Sequence, residues 1–143
     1  GPWPAALQEC PKSGILWAEA IFMEPRPQRK ARSVDALKKC DNDANVVLAV
    51  ARLFWADRII DKARNWFNRA VKLDPDNGDA WAYFLKFELD QGTDETRQDV
   101  ISRAVQAEPH HGLVWPAIAK AVENAGKTTE QILALTAAAL DSS

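Results

Sequence analysis

The sequence is poor in cysteine and has no long apolar run, and both absences exclude classes of protein. Its two cysteines, Cys10 and Cys40, are too few for a disulfide-stapled secreted scaffold or for a four-ligand zinc site. No uncharged apolar run approaches the roughly 20 residues that a membrane-spanning helix requires. Residues 1–15 also lack the charged head and apolar stretch of a signal peptide. We therefore expect reduced thiols in an intracellular protein.

Catalytic motifs are missing as well. The sequence has no G-x-x-x-x-G-K-[ST] phosphate loop, no G-x-S-x-G nucleophile elbow and no H-E-x-x-H zinc helix. Its two histidines, His110 and His111, are adjacent in a predicted loop without a second ligand pattern, which disfavours a metal or acid–base role. We expect no enzyme activity and no catalytic, metal or cofactor site.

Charge of one sign is not in excess over the whole chain of 143 residues. The 18 basic and 20 acidic residues leave a net charge of −2, which argues against wholesale binding of nucleic acid. Tryptophan is abundant instead, with six Trp and five Phe against one Tyr. The positions of the tryptophans are therefore the first clue to the fold.

A short pattern, P-x-x-G-x-x-W, occurs three times. The last two copies are 34 residues apart and the first two are 64 apart, which leaves room for one degenerate copy over residues 41–47. A period of about 34 residues is that of a helix-turn-helix repeat of the tetratricopeptide kind. The repeat positions are Pro11, Gly14, Trp17, Pro75, Gly78, Trp81, Pro109, Gly112 and Trp115.

Apolar residues at helical spacing support this repeat. Ala63, Phe67 and Ala70 recur on one face of a predicted helix, and no segment shows sustained strand-like alternation. The predicted helices span residues 14–24, 28–40, 44–57, 60–73, 78–91, 94–107, 112–125 and 129–141.

Glycine, threonine and proline mark the predicted helix boundaries. Gly92 and Gly126 are expected to close two helices in the left-handed conformation. Thr128 and Gln131 have capping-box spacing for the last helix. Pro116 is tolerable only if it lies in the first turn of its helix.

These helices predict an all-α fold, a right-handed α-α superhelix or solenoid of about four helix-pair repeats and a partial N-terminal one. Residues 5–11 match the end of a second helix, so we expect them to end a preceding repeat, and residues 1–4 to be a cleavage scar or tail. The chain is then a piece of a longer rod. The four repeats are predicted at 12–41, 42–75, 76–109 and 110–141.

Several positions carry a family resemblance: Trp17 with Glu24, Trp81 with Glu88, Ala63-Arg64 and Arg69-Ala70-Val71. They resemble half-a-tetratricopeptide (HAT) repeats, which are characteristic of RNA-processing complexes. Strings such as Gly78-Asp79-Ala80-Trp81 and Lys86-Phe87-Glu88-Leu89 resemble more closely the C-terminal repeats of a family of tri-snRNP splicing factors.

The resemblance implies a nuclear scaffold without catalysis in pre-mRNA splicing, which bridges the U5 and U4/U6 particles and binds their proteins. The alternative is an RNA-binding or homodimerising HAT module of another RNA-processing complex, such as an mRNA 3′-end cleavage factor. The sequence departs from the repeat pattern over residues 41–47 and at Pro25-Arg26-Pro27.

A cluster of positive charge around the first predicted turn is the candidate interaction surface. Between residues 26 and 39 there are six basic residues against Asp35 alone, whereas residues 74–99 hold eight acids and two bases. Such a run is either a solvated face or a docking surface for acidic protein segments or RNA phosphate. No aromatic residue is interleaved in the run, so protein contact is favoured over stacking on single-stranded RNA. The six are Arg26, Arg29, Lys30, Arg32, Lys38 and Lys39.

The tryptophans divide into two groups. Those at repeat or stripe positions, Trp17, Trp66, Trp81 and Trp115, are predicted to pack between helices. Trp3 and Trp55 lie off the register, and either is an exposed anchor or a cap over a solenoid end. Cys10 and Cys40 occupy equivalent places in successive repeats, too far apart for a disulfide.

Overall fold

The computed structural model describes residues 21–39 and 43–140, with no side-chain description for Lys39. Predictions for Trp3, Cys10, Trp17 and Cys40, the first P-x-x-G-x-x-W copy and the absent disulfide all lie outside the described residues. The helices are α1 (Arg26–Lys39), α2 (Ala44–Ala56), α3 (Ile60–Leu73), α4 (Gly78–Gln91), α5 (Asp94–Ala107), α6 (Val114–Ala119), a 3-10 turn (Val122–Asn124) and α7 (Thr129–Ala139).

The described part of the chain is all-α, as predicted, and within each unit neighbouring helices pack as in HAT and tetratricopeptide repeats, α1 on α2 and α2 on α3 in the first, α4 on α5 and α6 on α7 in the second. It contains no β-strand, and residues 21–23 are also helical. No helix among the described residues is both long and apolar enough to cross a membrane. The chain forms two compact units, which divide between Leu73 and Asp74. The repeat boundaries themselves stay predictions.

In the first unit, α2 packs against both α1 and α3. Its sequence is apolar on nearly every side, which suits a helix enclosed by neighbours. The carboxylate of Asp43 starts α2 by accepting the N–H of Asn45 at 2.8 Å. On α3, the predicted stripe of Ala63, Phe67 and Ala70 is fully buried. The sequence therefore predicted α2 and α3 to within a residue.

In the second unit, α4 is the central helix, since it packs against α5, α6 and α7. Phe84 and Phe87 of α4 and Leu133 of α7 are among the fully buried side chains of this unit. The ammonium of Lys86 donates to the carbonyl of Leu140 at 2.8 Å and so caps the end of α7. The long stem of this lysine thus ties α4 to the last described helix.

One predicted helix start and the conformation of one predicted stop glycine agree with the sequence, and a second predicted stop does not. Thr128 and Gln131 form the expected capping box, and Gly126 has the expected positive φ of 83°. Gly92 instead has a φ of −99°, so the prediction of a left-handed stop there was wrong. The guanidinium of Arg97 donates to the carbonyls of Glu88, Leu89 and Gly92, which leaves no need for that stop.

The predicted helix at 112–125 is broken, and this prediction was wrong. The α-helix ends at Ala119, and a 3-10 turn follows at Val122–Asn124. The side-chain amide of Asn124 donates to the carbonyl of Ile118 at 2.8 Å. In a continuous helix that carbonyl would accept the N–H of Val122, so the side chain competes with the backbone. Pro116 does lie in the first turn of α6, as expected.

Candidate interaction surface

The basic residues of α1 divide into structural and exposed groups. Arg29 donates from Nε to the carbonyl of Glu24 at 2.9 Å and from Nη2 to that of Phe22 at 3.0 Å. It therefore caps the short helical segment that precedes α1. Arg32 is half-buried and pairs with the Glu24 carboxylate at 3.3 Å. Both guanidinium groups thus have contacts within the protein, so they are less available to a binding partner than the sequence suggested.

The remaining described members of the run are exposed. Arg26, Lys30 and Lys38 are all solvent-exposed on α1. None of the three has an ion-pair partner within the described ranges. The side chain of Lys39 lies outside the described part. The predicted surface of six cations is thus reduced to these three in the described structure.

Aromatic rings lie among these cations in space, although not in sequence. The ammonium groups of Lys30 on α1 and Lys62 on α3 both lie 5.8 Å from the ring centroid of Phe54 on α2. Phe54 stacks on Trp66 at 6.4 Å, and Arg69 lies 5.0 Å from the Trp66 ring. We call these five residues the Phe54 cluster. The basic run itself contains no aromatic residue, as the sequence shows, and the rings beside its cations come from α2 and α3.

A second ring carries two more cations. The guanidinium groups of Arg52 and Arg29 lie 4.1 Å and 5.5 Å from the Phe22 centroid. Phe22 is only half-buried. Arginine thus reinforces the packing between the segment before α1 and helix α2.

Trp55 is not an exposed anchor. It is half-buried, and its ring meets the fully buried Phe67 edge to face, at a centroid distance of 6.2 Å and an angle of 70°. The residue belongs to the packing of α2 on α3. The other described tryptophans agree better with prediction, since Trp81 and Trp115 are 3% exposed and Trp66 is half-buried.

Charge follows the division into two units. Residues 21–73 contain twelve basic and six acidic residues, and residues 74–140 contain five basic and eleven acidic ones. The net charge of the chain therefore averages a basic unit and an acidic unit. The candidate docking surface lies on the basic one.

In the second unit, the loops of two successive P-x-x-G-x-x-W copies pair with each other. The N–H of Gly78 donates to the carbonyl of His111 at 2.8 Å, and the N–H groups of His110 and His111 donate to that of Asp76. Trp81 donates from its indole N–H to the carbonyl of Pro75 at 2.8 Å. The copy at residues 75–81 is thus held both within itself and to the copy at residues 109–115.

Asp79 joins the two copies most directly. Its nearly buried carboxylate accepts the N–H groups of Leu113 at 2.9 Å, Val114 at 3.0 Å and Trp115 at 2.7 Å. These are the orphan donors at the start of α6, whose own N-cap, Leu113, has no side-chain acceptor. This role was not predicted from the sequence, because Asp79 lies 34 to 36 residues before the donors that it caps.

Close packing explains the glycine and tryptophan positions of the motif. A Cβ placed on Gly78 would lie 2.1 Å from the Trp115 ring, so the glycine of one copy receives the tryptophan of the next. Gly112 has a φ of 132°, and a Cβ there would lie 2.5 Å from Asp79 Oδ1. In the second unit, the glycine and tryptophan positions of the repeat are therefore structural.

The two histidines share one carboxylate. His110 Nδ1 and His111 Nε2 each lie 2.9 Å from an oxygen of Asp76. The hydrogen bond from His110 lowers the pKa of Asp76 below its ordinary value, and the charges of both imidazoles act in the same direction. Asp76 and His110 are 34 residues apart, which was the available signal. The described residues contain no group of three His, Cys, Asp or Glu that could hold a metal.

Comparison with known proteins gives the relationship of this chain. No protein-family model matches it. Protein STABILIZED1 of Arabidopsis thaliana is 58% identical over 109 residues, which are 76% of this chain and 11% of that protein. Human pre-mRNA-processing factor 6 is 56% identical over 112 residues, 78% of this chain and 12% of that protein. The chain is homologous to one segment of the pre-mRNA-processing factor 6 proteins.

A more distant relative extends the match. Pre-mRNA-splicing factor prp1 of Schizosaccharomyces pombe is 47% identical over 130 residues, 91% of this chain and 14% of that protein. The resemblance to splicing-factor repeats is therefore confirmed. The chain spans about an eighth of the length of these pre-mRNA-processing factor 6 relatives.

Proposed function

We propose that this chain is part of a non-catalytic scaffold for protein–protein contacts in pre-mRNA splicing. The observation that carries the proposal is its identity of 47–58% with splicing factors over most of its length. The alternative of a module from another RNA-processing complex is not favoured, because these relatives are named as splicing factors. On this proposal the protein acts in the nucleus and contacts proteins of the U5 and U4/U6 particles.

The chemistry of the described residues supports a scaffold rather than an enzyme. Buried polar groups of the second unit have structural partners: Asp79 caps α6, Asn77 accepts the N–H of its own helix start at 3.0 Å, and the hydroxyl of Thr136 donates to the carbonyl of Ile132 at 2.8 Å. Loop-to-loop bonds of this kind hold a surface in one conformation before a partner binds, which lowers the entropic cost of binding.

The exposed cations of α1 are the proposed contact surface. Arg26, Lys30 and Lys38 project from a helix that Arg29 and Arg32 hold in place. Lys39 belongs to the same proposed surface by its position in sequence. Trp55 contributes through packing rather than through direct contact.

The test is recovery of snRNP proteins from nuclear extract with the full-length protein that carries this segment. We expect U5 and U4/U6 proteins with the unchanged segment, and reduced recovery when Arg26, Lys30 and Lys38 are each changed to Glu. Reversal of Lys30 and Lys38 alone should also reduce recovery, and the control matched to it in charge, reversal of Lys120 and Lys127 in the acidic unit, should retain recovery. Failure of the unchanged protein to recover any snRNP protein would overturn the scaffold proposal.

A further inference from the structure

Two exposed ammonium groups converge on one aromatic ring in the Phe54 cluster. Lys30 and Lys62 come from different helices, yet both lie 5.8 Å from the Phe54 centroid, so they are no more than twice that distance apart. Neither has a carboxylate partner within the described part of the chain. Two like charges beside one ring raise the local positive potential, which favours an anionic partner there.

The rings hold the cations and leave little aromatic surface for a nucleobase. Phe54 has Trp66 stacked on it and two ammonium groups over its ring. Trp66 has Phe54 as one neighbour and Arg69 as another, and both rings are half-buried. Recognition of single-stranded RNA depends on bases that stack on open aromatic faces. The cluster therefore presents positive charge and few stacking faces.

The charge of the chain also favours a short anionic partner over a long polyanion. Residues 21–73 carry twelve basic against six acidic residues, but the chain as a whole is net −2. Nucleic-acid-binding domains are usually strongly basic throughout. An acidic stretch of polypeptide needs only the local positive surface that the Phe54 cluster and the exposed α1 cations provide.

We propose that the Phe54 cluster binds an acidic segment of a partner protein, with carboxylates of that segment paired with Lys30 and Lys62. The inference rests on the proposed scaffold function and names the class of partner. It also adds Lys62 and Arg69 of α3 to the surface, neither of which is in the basic run of α1. The Phe54 and Trp66 rings fix the positions of the cations, so the partner meets a preformed site.

The test is fluorescence anisotropy with the purified chain and two labelled probes, a short oligoglutamate peptide and an oligouridylate of the same length. We expect the peptide to bind at low salt and to weaken at about 0.15 M salt because the contacts are ionic. Reversal of Lys30 and Lys62 to Glu should weaken peptide binding by about tenfold or more. Reversal of Lys120 and Lys127 should leave it within about twofold, since both lie in the acidic unit.

A second pair of variants keeps the test decisive if charge reversal disturbs folding. Lys30→Met with Lys62→Met retains apolar stems over the Phe54 ring and removes only the charge. This variant should fold, by circular dichroism, and should still lose peptide binding. Peptide binding that survives both pairs of changes would overturn the proposal.

Two other outcomes would each contradict the binding of an acidic segment at this site. Tighter binding of oligouridylate than of oligoglutamate, lost on the same substitutions, would replace the acidic peptide by RNA. Binding of neither probe at about millimolar concentration in low salt would reject the site. Either result leaves the scaffold proposal to its own test, because recovery of snRNP proteins can depend on another surface.

Discussion

At the scale of single residues, Asp79 replaces a missing helix cap. Its carboxylate accepts three backbone N–H groups of α6, from a position 34 to 36 residues earlier in the chain. Backbone donors that lose a buried acceptor cost far more than an average hydrogen bond contributes. The residue therefore links the sequence of one motif copy to the stability of the next helix.

We predict that Asp79→Ala destabilises the protein by about 2–4 kcal/mol, because it strands these donors in a nearly buried site. Asp79→Asn should cost less, since one carboxamide oxygen still accepts. Urea denaturation followed by circular dichroism measures both changes. Glu123→Gln, on the exposed 3-10 turn, is the control and should lie within about 0.5 kcal/mol of the parent. An Asp79→Ala variant as stable as this control would contradict the assigned cap.

Asp76 gives a second prediction at this scale, on pH. Its pKa in the folded protein is lowered from 3.8 by its hydrogen bond with His110 and the charges of the two histidines. The unfolded chain therefore binds a proton at Asp76 more readily than the folded protein does. The contribution of the ionised Asp76 to the free energy of unfolding is complete above pH of about 4 and is lost as pH falls through the folded pKa. Asp76→Asn should therefore lower the melting temperature near neutral pH and lose its effect in acid. Equal effects at pH of about 7 and pH of about 3 would exclude the charge as the cause.

At the scale of elements, the motif Gly78 and the motif Trp115 form one packing unit. The ring of Trp115 lies where a Cβ of residue 78 would be, and that tryptophan is the buried residue of the short helix α6. We predict that Gly78→Ala costs about 1–3 kcal/mol, through displacement of the ring. A double-mutant cycle with Trp115→Leu measures the coupling, which should be favourable because the smaller side chain accepts the new methyl group. Additive effects would show that the two residues do not contact.

The helices show why sequence reasoning succeeds locally and fails across distance. The bounds of α2, α3, α4 and α5 were predicted within about a residue, because their apolar stripes and caps are local signals. The helix predicted at 112–125 failed because the side chain of Asn124 takes a backbone carbonyl, which periodicity does not register. The capping role of Asp79 was missed because its carboxylate accepts backbone N–H groups that lie one whole repeat later in the chain.

At the scale of the whole molecule, the two units differ in charge. The charge difference between the two units can be counted from the sequence alone. The Phe54 cluster can be found only in the folded structure, because Lys30, Phe54 and Lys62 come from three helices. A local window over the basic run contains no aromatic ring, and the rings that hold its cations come from α2 and α3. Composition thus predicted the sign of the charge on this surface, and the packing of the helices determines which side chains lie together on it.

This asymmetry predicts unusual behaviour in ion exchange. A protein with a net charge of −2 should pass through a cation exchanger at neutral pH if its charges are spread evenly. Residues 21–73 carry a twofold excess of basic over acidic side chains, so we expect retention at low salt on both cation and anion exchangers. Reversal of Lys30 and Lys62 should shorten retention on the cation exchanger more than reversal of Lys120 and Lys127, although the net charge changes equally. Identical shifts for the two pairs would mean that the resin senses net charge alone, and the basic unit would then present no concentrated surface.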